Sequence, residues 1–184
     1  MPEFIEYTVL ALDAMGVIYQ TGDDVADLLT PFVAANGGST DRNLVEHTYL
    51  YASLGEIPAM QFWRRVGIDP ALEDNYLRLH CLTDGIRDVL IEARRRGITV
   101  CCISNDVAEW SARLRCRFRL EGGEFGTRKP DRAIYEAVLS GLRCEPGRAL
   151  FVDDRVGNLD AARAPGITTA CLTRCRTAVA ITGD

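Results

Sequence analysis

Four short apolar runs do most to limit what this chain can fold into: TVLAL (8–12), ITVCCIS (98–104), ALFVD (149–153) and ITTACL (167–172). Each has little polar alternation, the pattern of strands covered on both faces by other elements. Helical periodicity fills the gaps between the later runs. In TDGIRDVLIEARRRG, Thr83 is the predicted N-cap, Ile86, Val89, Leu90 and Ala93 share one face, and Gly97 is the stop. PDRAIYEAVLSG places Pro130 in a first turn and ends at Gly141, and NLDAARAPG closes just before the last run. Strand alternating with helix predicts an α/β fold, a three-layer doubly wound parallel sheet.

Residues 20–81 break the alternation. DDVADLLTPFVAANGG, DRNLVEHTYLYASLG, IPAMQFWRRVG and DPALEDNYLRLH carry helical patterns without a convincing strand. The simplest account is a small helical lobe, 20–81, inserted after the first strand of a core made from 1–19 and 82–184. A chain of 184 residues is long enough for both. FWRRVG (62–67) belongs to the lobe's packed helix rather than to a site, and the tail from Arg174 has no assignable role.

Composition narrows the partners. The chain is 47% hydrophobic and 26% charged with a net charge of −5, which gives no reason to expect nucleic acid or an anionic membrane. No apolar stretch reaches the length of a membrane span and no leader pattern opens the chain, so the cytosol is the expected compartment. Seven cysteines without a C-x-x-C pair predict idle or buried thiols rather than a zinc or redox site. Of 21 basic residues only Lys129 is a lysine, which marks a place where a guanidinium does not serve.

In an open parallel sheet the reactive crevice lies at the carboxyl ends of the strands. Asp13, Ser104-Asn105 and Asp153-Asp154 fall at such ends, and Lys129 opens a helix between them. Each alone has a structural explanation: an acid at a strand end, a turn with an N-cap, a cap and its neighbour. Their order and combination are what point to chemistry.

With those residues in that order, the chain resembles the haloacid dehalogenase-like (HAD) hydrolase superfamily. LALDAMGVI is similar to the first motif of that family, CCISND to the second, GTRKPDRAIYEAV to the third and FVDDRVGNLDAARAPGI to the fourth. The resemblance implies a Rossmann-like core with the helical segment as its cap, Asp13 as nucleophile, and Ser104, Asn105, Lys129 and Gly16 around the substrate. It also implies a magnesium ion held by Asp13, the main-chain carbonyl of Met15 and Asp154, with Asp153 completing the acidic set. The implied substrate is a small phosphorylated metabolite. The physical logic agrees: an anionic ester repels an anionic nucleophile unless a cation and a lysine intervene, and a covalent aspartyl-phosphate divides one difficult displacement into two.

The same resemblance exposes a departure. Phosphatases of the family carry a second Asp two residues after the nucleophile, to protonate the leaving alcohol and then activate water. Here that residue is Met15, and general acid–base catalysis is worth roughly 10²–10⁴ in rate. Three readings follow: a phosphohydrolase with atypical acid–base help, a 2-haloacid dehalogenase, or a weak or inactive binding protein on the same fold. For the first, Asp24, Glu46, Glu56, His47 and His80 of the lobe are the available groups, each otherwise at home on a solvated surface. For the second, halide leaves without a proton, but the Asp153-Asp154 pair is hard to explain without a cation. The stretch 113–128, RLRCRFRLEGGEFGTR, is shorter than the family's usual passage between second and third motifs, and its arginines predict a solvated helix end.

Overall fold

The structure of the protein is a computed structural model that describes residues 6–118 and 128–172. The tail from Arg174, with Cys175, and most of the compressed passage 113–128 lie outside the described residues. The four apolar runs form four parallel strands: β1 (Val9–Leu12), β2 (Thr99–Cys102), β3 (Ala149–Asp153) and β4 (Thr168–Cys171). They pair in the order β2-β1-β3-β4, with Leu12 opposite both Cys102 and Val152. The chain leaves β1 for one neighbour and then crosses to the other, which opens a crevice at the carboxyl end of β1.

Alternation along the strands decides the layers. Val9, Ala11, Cys101, Ile103 and Phe151 point to one face and pack with Ile134, Tyr135, Val138 and Leu159. Those come from α7 (Arg132–Gly141) and α8 (Val156–Arg163). Leu12, Val100 and Cys102 point to the other face and pack with α5 (Ile86–Arg95) and α6 (Ala108–Phe118). The result is the predicted helix–sheet–helix sandwich.

Two helix starts differ from the sequence reading. Gly85, with φ of 77°, caps α5 instead of Thr83, whose carbonyl accepts from Ile86 N, and Val89 is 47% exposed rather than on the core face. Asp131 caps α7 by accepting Ala133 N at 2.9 Å, so Pro130 precedes the helix instead of entering its first turn. In both, a residue that offers either a left-handed conformation or a short acceptor outcompeted the predicted one.

Residues 25–77 are helical throughout their regular elements. A π-helical turn (Val25–Leu29) leads into α1 (Thr30–Ala35), followed by α2 (Arg42–Ser53), α3 (Ala59–Arg65), a 3₁₀ turn (Pro70–Leu72) and α4 (Glu73–Leu77). Phe62 and Trp63 of α3 are fully buried, as the packed-helix reading of 62–67 requires. Their partner is Trp110 of α6, with ring centroids 5.3 and 5.1 Å away, and Tyr76 of α4 stands 5.0 Å from the same ring. Glu109 of α6 also accepts Ala59 N at 3.1 Å. The helical segment is therefore joined to the α/β layers by a continuous aromatic core.

Candidate active site

The register that pairs Leu12 with Val152 carries Asp13 and Asp153 side by side at the strand ends, and Asp13 N donates to Val152 O at 2.9 Å. Two buried carboxylates in that position repel unless a cation lies between them. Lys129 supplies one: its Nζ is 2.5 Å from Asp13 Oδ1 and 2.8 Å from Asp153 Oδ2. Asn105 fixes the lysine from behind through both ends of its amide, accepting Lys129 N at 2.7 Å and donating to Lys129 O at 2.8 Å. The side chain of Asn105 thus holds Lys129 in place, an arrangement that spacing alone does not reveal.

Asp153 is saturated by protein donors. Arg155 N and Asn158 Nδ2 reach its Oδ1, and Asn158 Nδ2 and Lys129 Nζ reach its Oδ2. Asp154 differs: its Oδ1 is buried without a hydrogen-bond partner. Oxygens of Asp13, Asp153 and Asp154 lie within 4.8 Å of one another. Burial, with Asp153 nearby, raises the Asp13 carboxyl to about 6 against the pull of Lys129, and the same two causes raise Asp154. An orphaned buried oxygen in a trio of hard donors fits a divalent cation. Gly16 belongs to this cradle, because at φ of 79° a Cβ there would stand 2.3 Å from Asp154 Oδ2.

These groups open into a cavity of about 330 Å³, floored by Asp13, Met15, Ser104 and Lys129. Ser104 Oγ accepts Asp106 N at 3.2 Å, which leaves the hydroxyl's own proton for a ligand oxygen. The lobe covers one side with Asp24, Glu46 and Tyr49. Of the five lobe groups named from sequence, Asp24 and Glu46 reach the cavity. His80 lies behind Asp24, its Nε2 3.1 Å from Asp24 Oδ1, a close approach without hydrogen-bond alignment. His47 and Glu56 are exposed and outside the cavity lining.

Residues that sequence reasoning passed over also line it: Asp106, Arg128, Arg155 and Asn158. Asp106 directly follows the Ser104-Asn105 pair and Asn158 lies one helical turn beyond Asp154, so both were within reach of the motifs. Arg128 was hidden, since an arginine in an arginine-rich chain carries no signal.

Comparison with known proteins agrees with this geometry. The family model described as "haloacid dehalogenase-like hydrolase" matches residues 7–166. The bifunctional epoxide hydrolase 2 of Rattus norvegicus is 31% identical over 88 residues, and that of Mus musculus 30% over 91. Each match covers 41–43% of this chain and 16% of the relative's length. Among solved structures, a HAD family enzyme from Bacteroides thetaiotaomicron in complex with magnesium and inorganic phosphate superposes with a TM-score of 0.75 at 17% identity, covering 91% of this chain and 94% of that one. An L-2-haloacid dehalogenase from Xanthobacter autotrophicus with chloropropionic acid covalently bound gives 0.62 at 17% identity, covering 93% and 79%. At such identities the structural likeness speaks for the fold alone. With a family model spanning nearly the whole chain and a parallel sheet that gathers its motifs, the protein belongs to the haloacid dehalogenase-like hydrolases.

Proposed function

We propose that this hydrolase is a magnesium-dependent phosphohydrolase that acts on a small phosphorylated metabolite through a covalent aspartyl-phosphate on Asp13. The observation that carries the reading is the buried, unpartnered Asp154 Oδ1 within the acidic trio. Asp13, the Met15 main-chain carbonyl and Asp154 would hold the ion, with Asp153 completing the charge around it. When bound, magnesium supplies charge neutralisation between nucleophile and ester.

The chain's own residues do the rest. Lys129 offsets the charge on Asp13 and on the phosphoryl oxygens, as a compact ammonium can do and a planar guanidinium cannot. Ser104 donates to a phosphoryl oxygen, and Asn105 serves substrate binding chiefly by holding Lys129. Gly16 admits the Asp154 carboxylate close to the backbone. The lobe, 20–81, acts as the cap, excluding water and setting specificity. A sequence with no C-x-x-C pair and no regular cysteine framework fits a reducing compartment, and we place the protein in the cytosol. That the Bacteroides enzyme holds magnesium and inorganic phosphate supports the reading.

Turnover of an aryl phosphate tests it, because a stabilised phenolate leaves without acid catalysis. Release of phenolate should need magnesium and disappear in Asp13→Asn; metal-free turnover, or turnover that survives the substitution, refutes the mechanism. One observation favours a second reading. Met15 offers no proton beside Asp13, and a carbon–halogen bond needs none to break. Halide release from 2-haloacids without metal would establish that activity instead.

A further inference from the structure

Cleaving an alkyl phosphate expels an alkoxide unless a proton arrives as the P–O bond breaks, and Met15 cannot provide it. Among the described residues lining the cavity outside the acidic trio, few can. Asp23 is exposed and accepts Ala26 N, Glu46 is paired with Arg42, and arginines hold their protons too firmly. Asp24 is engaged: the Tyr76 hydroxyl donates to its Oδ2 and His80 approaches its Oδ1. The Tyr49 hydroxyl is held well above its usual range by burial and by Asp106.

Asp106 remains. It is 8% exposed, lies on the cavity wall two residues past Ser104, and faces the lobe. Its Oδ1 accepts Val107 N at 2.7 Å, while Tyr49 and Ser111 hydroxyls stand at 3.4 Å, too long to satisfy an ionised carboxylate. The charged groups around it are Asp24 at the start of the lobe, His80 after α4 and Arg128 before α7, with the phenols of Tyr49 and Tyr76 between them.

Resting on the phosphohydrolase reading, we propose that Asp106 is the proton donor to the leaving group, in place of the acid absent at position 15, with Asp24 as its positioning residue. Asp13 attacks phosphorus and the P–O bond to the leaving oxygen breaks, its electron pair going to that oxygen, which takes the proton of Asp106. Water then attacks phosphorus and surrenders a proton to the Asp106 carboxylate while the bond from phosphorus to the Asp13 oxygen breaks, its electron pair returning to Asp13, so that phosphate leaves with Asp13 ionised and Asp106 protonated. Burial and the neighbouring Asp24 charge push Asp106 up to about 7, partly opposed by His80, so the group is poised to give and regain a proton near neutrality.

The test compares kcat/KM for an alkyl and an aryl phosphate with magnesium present, since this parameter covers the steps up to formation of the aspartyl-phosphate. In Asp106→Asn the alkyl substrate should lose about 10²–10⁴-fold and the aryl substrate far less, collapsing their ratio. In the unaltered protein, alkyl turnover should fall as pH rises through about 7, a limb missing for the aryl substrate. Asp24→Asn removes the neighbouring charge and should move that limb to lower pH. The pH comparison needs no variant and stands if Asp106→Asn fails to fold. An unchanged alkyl-to-aryl ratio in Asp106→Asn, or the same pH limb for both substrates, overturns the role of Asp106 while leaving the phosphohydrolase reading intact. A limb unmoved in Asp24→Asn removes the role of Asp24. Failure of the protein to turn over either phosphate sinks the phosphohydrolase reading, and this proposal with it.

Discussion

Lys129 shows how much one side chain can decide. It is 5% exposed and touches two carboxylates that the sheet register forces together. Removing one partner of a buried ion pair leaves uncompensated charge, which costs about 3–5 kcal/mol. Lys129→Met should therefore lower stability by about that amount in urea denaturation, and the Asp13 carboxyl should rise further above its present value of about 6. A substitution at an exposed arginine of similar size should have no comparable effect. The importance of this residue was legible from its being the single lysine of the chain. Its partner on the far side, the Asn105 amide, was not, because that contact joins two loops 24 residues apart.

At the level of elements, the strands follow their apolar runs closely, since a run buried on both faces has no other comfortable conformation. The joint between α4 and α6 is a different matter. Glu73 accepts both indole N–H groups, of Trp63 and Trp110, at 2.8 Å on one oxygen, and Arg113 binds its other oxygen and also Asp74. The arginine of the expected solvated helix end is thus a tie between α6 and the helical segment. Glu73→Ala would strand two buried donors and should cost about 3 kcal/mol or more, read as a lowered urea midpoint. Glu92→Ala on α5, whose pairs with Arg95 and Arg96 are exposed, is the matching control and should leave the midpoint where it is.

For the molecule as a whole, the proton balance runs one way. Asp106 is raised to about 7 and Asp13 to about 6, both chiefly by burial. Burial alone would lower His80, but the close approach of the Asp24 carboxylate, with the charge of Asp106 beyond it, holds it above its usual value. Each group binds its proton more tightly folded than unfolded, so stability declines as pH rises through these values. Thermal unfolding without magnesium should show a higher midpoint at pH 5.5 than at pH 8, and Asp106→Asn should flatten that difference. A midpoint that rises over this interval would mean that the buried cluster is not charged as described.

What the sequence determined by itself was what local pattern can encode: strands from unbroken apolar runs, helices from periodicity, and the order Asp13, Ser104, Lys129, Asp153-Asp154, all but Lys129 at strand ends. A chain that must bury those runs has few other folds open to it. Tertiary structure decided which acids are saturated and which are not. Asp153 and Asp154 are neighbours of the same type, yet one is filled by Lys129 and Asn158 and the other keeps a bare oxygen. It likewise brought Asp24 and His80, from the helical segment, beside Asp106 in the loop after β2. Charge and burial at a point in space depend on every segment that passes near it, and no stretch of sequence holds that sum.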